Sequence, residues 1–142
     1  MEGTAPHARI LEACARATLV VLASYRGPGG YLDGISNVLV EAMACGTPVV
    51  STDYPGAREL LQDGLLGPLV PQRDPVRLAD AMESLLRDPA RRGELARLGR
   101  GQIEASFDRE RNIEAIASLF VSVLGESGGR PGGITVCDPR SA

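Results

Sequence analysis

Apolar residues along this chain fall into short continuous runs separated by stretches of helical spacing. Residues 18–23, Thr-Leu-Val-Val-Leu-Ala, form one such run, short and rich in β-formers, as expected of a strand covered on both faces. A second strand is predicted at 48–51 and a third at 65–70, where the internal Pro68 points to a sheet edge. Between them, residues 8–17 read as a helix with Ile10, Leu11 and Ala15 available for one face. Val38, Leu39, Ala42 and Met43 share a face of the next helix. A short helix at 57–62 turns Leu60 and Leu61 inward, and Asp63-Gly64 makes a turn before the third strand.

The last third of the chain is helical. Asp74-Pro75 and Asp88-Pro89 each join an N-cap residue to a proline at the first helical position. The helix after Asp74 carries Leu78, Met82, Leu85 and Leu86, and the helix after Asp88 carries Leu95, Leu98 and Ile103 beside a solvated arginine face. A further helix starts near Asp108, and Ile113, Ile116, Leu119, Phe120, Val123 and Leu124 give it a broad apolar stripe. From Gly125 the sequence turns to Glu-Ser-Gly-Gly-Arg-Pro-Gly-Gly, and residues 126–142 are expected to be a disordered tail. Strands alternating with helices predict an α/β fold, a parallel sheet of three strands with covering helices.

Composition narrows the functions open to such a fold. The chain has 142 residues, 44% of them hydrophobic, enough for one modest core. A net charge of −3 gives no electrostatic reason to expect nucleic acid. No basic segment followed by a long apolar run opens the chain, so no signal peptide is expected. No apolar stretch approaches the roughly 20 residues that span a bilayer. Cys14, Cys45 and Cys137 lack metal-ligand spacing and read as reduced thiols, which suggests a cytoplasmic protein. His7 is the one histidine, lies near a terminus, and is not expected to be catalytic.

The stretch from Asp33 to Val50, Asp-Gly-Ile-Ser-Asn-Val-Leu-Val-Glu-Ala-Met-Ala-Cys-Gly-Thr-Pro-Val-Val, carries the candidate chemistry. Ser36 or Asn37 can cap the helix start by accepting from free amides. Gly46 can take the left-handed conformation that ends the helix, and Pro48 forbids its continuation. Asp33 precedes this helix and Glu41 lies in its second turn. At roughly 100° per residue, the step between them is about two turns plus 80°, so both carboxylates can face one side of the helix N-terminus. That end suits phosphate, and carboxylates beside it suit sugar hydroxyls, from which they accept hydrogen bonds. Taken alone, the two residues also read as a loop carboxylate and a solvated helix residue. The loop at 24–31 holds Gly27-Pro28-Gly29-Gly30 and Arg26, a flexible segment with a solvated arginine or a close approach to a phosphate. Residues 51–56 form a loop at the carboxyl end of a strand, where open α/β sheets bind ligands.

The whole stretch resembles the donor-binding motif of retaining glycosyltransferases of the GT-B fold, the family 4-like group that uses nucleotide sugars. Its signature is two acidic residues with seven between them, followed by Ala-Met-Ala-x-Gly-x-Pro-Val-Val. Asp33 and Glu41 match the acidic positions, although the first is usually Glu in Glu-Gly-Phe-Gly and here stands in Asp33-Gly34-Ile35-Ser36. Asp63-Gly64-Leu65-Leu66-Gly67-Pro68-Leu69-Val70-Pro71 matches a second family segment. The resemblance spans roughly residues 8–125 and implies the later half of a Rossmann-like second domain, so that 1–125 is the C-terminal part of a nucleotide-sugar-binding domain.

It further implies retaining transfer of a sugar from a nucleotide-sugar donor to a polysaccharide, lipid or other acceptor, without metal or other cofactor. Asp33 would be the catalytic-site carboxylate on the donor sugar, and Glu41 would accept from the ribose. Gly34, Ile35, Ser36, Asn37, Val38 and Leu39 would be substrate-binding, with the backbone amides around Ser36 to Leu39 facing the diphosphate. The acceptor-side domain and the Arg and Lys that usually hold the diphosphate have no counterpart here. Two readings follow: the donor-binding portion of an enzyme completed by other residues, or a non-catalytic remnant that binds a nucleotide or a protein. The strand at 18–23 would lack its usual neighbour, which implies pairing with a missing N-terminal glycosyltransferase chain or self-association. The expected location is cytoplasmic, with the inner face of the membrane as the alternative.

Overall fold

Three short parallel strands form the sheet, in the order β1 (Val20–Leu22), β2 (Val49–Thr52) and β3 (Leu69–Val70). The computed structural model describes residues 5–25, 27 and 34–126, with side-chain burial given as far as 123. The ladder pairs Val20 with Val49, Val21 with Val50 and Leu22 with Ser51, then Ser51 with Leu69 and Thr52 with Val70. β3 lies at an edge, as Pro68 predicted. It is shorter than the expected 65–70, because a 3-10 turn at Gln62–Gly64 and the bend after it carry the chain round before Pro68. Gly67 passes so close to β2 that a Cβ there would sit 2.6 Å from the Val49 carbonyl oxygen.

Both faces of the sheet are covered. Val20, Leu22 and Val49 meet one core with Cys14, Leu39, Ala42, Met43, Ala57, Leu60 and Leu61. On the opposite face, Val21 and Val50 meet Leu78, Leu85 and Leu95. Every residue of β2 is therefore buried, while β1 is half-buried along its length. Full burial of each such aliphatic side chain contributes about 1.5–3 kcal/mol.

Five helices build these layers. α1 (His7–Arg16) and α2 (Asn37–Ala44) lie together on the first face. α4 (Pro75–Arg87) covers the second. α5 (Pro89–Ser106) contributes Leu95 to the second core and Ile103 to the first. Asp74 and Asp88 cap α4 and α5, each side chain accepting from an amide three residues on, at Arg77 and Arg91. α2 ends in a Schellman motif: Gly46 takes φ +74°, its amide donates to the Met43 carbonyl, and the Thr47 amide donates to that of Ala42. α3 (Pro55–Leu61) buries Leu60 and Leu61 as expected.

Two expected helix faces differ in rotation. In α1 the buried residue is Cys14, with Leu11 beside it, while Ile10 and Ala15 are exposed. In α2 Leu39, Ala42 and Met43 are buried but Val38 is exposed. A stripe wider than the contact surface leaves its outer members in solvent, and the neighbouring helix decides which ones.

Contacts divide the chain at Phe107/Asp108 into two units. Of the second, α6 (Arg109–Glu126) is described, and Asp108 caps it by accepting from the Arg111 amide. Of the tail expected at 126–142, Glu126 is the last residue of α6 and the rest lies outside the described residues; among those described no helix is long and apolar enough to cross a membrane.

Candidate functional site

α2 leaves the carboxyl end of β1 and returns to the start of β2, so its N-terminus stands at the carboxyl edge of the strands, where α/β sheets bind ligands. Ser36 is the N-cap in an extended conformation, but its side chain makes no capping bond, and Asn37 is already inside the helix. This corrects the expected side-chain cap. The Ser36 carbonyl takes the first intrahelical bonds, accepting from the Leu39 amide at 3.1 Å and the Val40 amide at 3.2 Å. The amides of Asn37 and Val38 precede these bonds and remain for an acceptor outside the helix.

The approach to that end is fixed by α3. Gly56 is buried, and a Cβ on it would lie 2.2 Å from the Gly34 carbonyl oxygen and 2.8 Å from the Ile35 nitrogen. Only a residue without a side chain lets the two backbones come this close. Gly34 and the Ile35 nitrogen thus rest on the first turn of α3. Nearby, Arg58 grips both oxygens of Asp53, and the Asp53 carbonyl accepts from Gln72 at 2.7 Å. The Thr52 hydroxyl donates to the Ser24 carbonyl at 2.5 Å, tying the exit of β1 to β2.

Glu41 sits one turn into α2 with its side chain 25% exposed. Its Oε1 lies 3.0 Å from Nε2 of His7, at the start of α1. This contact is not legible in the sequence, because His7 and Glu41 are far apart in the chain and neither helix alone reveals it. The rest of the α1–α2 interface explains it. The Cys45 thiol lies 3.8 Å from the Leu11 carbonyl, and the Thr47 hydroxyl donates to the Cys14 carbonyl at 2.7 Å. Residues 7, 11 and 14 thus meet 41, 45 and 47, a nearly constant offset, which means the helices run parallel with both N-termini at one end. Burial, then the charges of Cys45 and Glu41, push the Cys14 thiol pKa up.

Of the sequence-derived residues, Gly34, Ile35, Ser36, Asn37, Val38 and Leu39 do form the lead-in and first turn of α2, with Leu39 turned into the core and Glu41 beside them. Asp33 lies outside the described residues, as do Arg26, the glycines at 29 and 30, and Cys137. Among the described residues no three of His, Cys, Asp and Glu converge as a metal cluster would require. All 15 basic residues of the sequence are arginine, with no lysine.

Known proteins resemble this chain in sequence and in fold. Residues 3–88 match the family described as glycosyl transferases group 1. A D-inositol 3-phosphate glycosyltransferase 1 of Catenulispora acidiphila is 34% identical over 131 residues, 92% of this chain and 30% of that protein. A glycogen synthase of Mycobacterium tuberculosis is 32% identical over 84% of this chain and 28% of its own length. Among solved structures, sucrose-phosphate synthase from Thermosynechococcus elongatus superposes with a TM-score of 0.75 at 30% identity, over 88% of this chain and 30% of that one. The chain thus spans under a third of the length of these relatives.

Proposed function

This chain belongs to the glycosyl transferases group 1 family, of GT-B fold, and we propose that it is the donor-binding portion of a retaining enzyme that transfers sugar from a nucleotide sugar. One observation carries the reading: Glu41 stands beside the open N-terminus of α2, at the carboxyl edge of the sheet. The diphosphate would lie against the Asn37 and Val38 amides, whose partial positive charge stabilises the leaving group. Glu41, an acceptor, would take the ribose hydroxyls. Asp33 would contact the donor-sugar hydroxyls, the role its place in the motif implies. No metal enters this scheme.

The chain spans under a third of these relatives' length, which supports a division of labour: this portion holds the donor, and transfer needs an acceptor side and a basic pair from elsewhere. The absence of lysine fits such a division. The acceptor is a polysaccharide, lipid or other glycosyl acceptor, and the setting is the cytoplasm or the inner membrane face.

Calorimetric titration of the chain with UDP-, GDP- and ADP-sugars tests this. Binding of one donor class that Glu41→Ala weakens supports the reading. Equal affinity in Glu41→Ala rules out the ribose assignment, and turnover by the chain alone rules out the division of labour.

A further inference from the structure

We infer that His7 is a positioning residue for Glu41, holding its carboxylate in the setting that selects a ribonucleoside over one lacking the ribose hydroxyls. The inference rests on the donor-binding reading above and names a residue that the motif does not contain.

The geometry is specific. A carboxylate only accepts, so the 3.0 Å contact requires a proton on His7 Nε2, donated to Glu41 Oε1. Among the described residues, His7 is the hydrogen-bond partner of that carboxylate. An ionised carboxylate offers about four acceptor directions, so one bond to His7 leaves Oε2 and a second direction on Oε1 for two vicinal hydroxyls. Without His7, a glutamate side chain is free to rotate, and ordering it on ligand binding costs affinity.

The contact has little to do for folding. His7 is 67% exposed and the pair lies at the rim, where such contacts contribute little to stability. The α1–α2 interface is already anchored deeper by Thr47 and Cys14. What His7 adds is direction. Because the two helices run parallel, α1 starts at the same edge as α2, and its first residue reaches the one carboxylate that faces the proposed nucleoside.

The test compares UDP, GDP and ADP with their 2′,3′-dideoxy counterparts by calorimetry on the full chain. The wild type should prefer the ribo form of the base it binds. His7→Ala should weaken the ribo form about two- to tenfold and leave the dideoxy form unchanged, with the unfolding temperature unmoved. His7→Gln, whose amide donates at similar reach, should restore the preference. Equal weakening of both forms, or none, overturns the inference. If Glu41→Ala abolishes the preference while His7→Ala retains it, the inference fails and the donor reading stands. If Glu41→Ala retains it, or no nucleotide binds, both fail. Independently of nucleotide, His7 is the only histidine, so its ring resonances are unambiguous. They should move in Glu41→Gln, and unmoved resonances would refute the contact in solution.

Discussion

Gly56 meets the backbone of Gly34 so closely that a Cβ on Gly56 would stand 2.2 Å from the Gly34 carbonyl oxygen. The obstacle is backbone, not the end of a flexible side chain, so the loop into α2 or the start of α3 has to move. Gly56→Ala should cost about 1–3 kcal/mol and displace Gly34–Ser36. Urea unfolding reads the first effect, and amide shifts at Asn37 and Val38 read the second. A variant with wild-type stability and unmoved amides contradicts the close approach.

Gly101, inside α5, behaves differently. A Cβ at Gly101 meets nothing within 4 Å. Gly101→Ala should therefore stabilise the chain by about 0.5–1 kcal/mol through helix propensity alone. Thermal unfolding checks the sign, and a fall in midpoint would mean that position 101 packs against something.

Thr47 ties α1 to the end of α2 through its buried bond to the Cys14 carbonyl. That carbonyl also accepts from the Ala17 amide at 3.1 Å, so removing the hydroxyl does not orphan it. Thr47→Val should cost about 0.5–1.5 kcal/mol in denaturant unfolding. A loss well above that range would mean the hydroxyl does more than join these two elements.

Burial, with smaller contributions from Cys45 and Glu41, raises the Cys14 thiol pKa. A raised folded-state value means that the associated stability is fully present below the unfolded-state pKa, about 8.5, and is lost as pH rises through the folded value. Native Cys14 should therefore resist alkylation at mildly alkaline pH and react once urea unfolds the chain. Mass spectrometry of iodoacetamide adducts at Cys14 measures both. Rapid native labelling there would show that α1 does not stay docked.

Much of this protein was legible in its residue order. The alternation of apolar runs and helical spacing specified a parallel sheet under helices. Asp74-Pro75 and Asp88-Pro89 marked helix starts, Gly46 marked a helix end, and Pro68 marked the edge strand; the backbone bears out each. These features depend on neighbours a few residues apart, so local chemistry suffices. The 33–50 stretch likewise identified the family.

Tertiary structure decided the rest. Period tells which side chains share a helix face, not how that face is rotated against its neighbour, so Cys14 rather than Ala15 is buried and Val38 is exposed. The Ser36 side chain was chemically able to cap α2 yet makes no such bond, and the Asn37 and Val38 amides stay open. His7 reaches Glu41, and Gly56 carries Gly34, only because parallel crossovers bring the start of α1, the start of α2 and the start of α3 to one edge of the sheet. Such contacts arise from packing between distant segments, and no spacing along the chain encodes them.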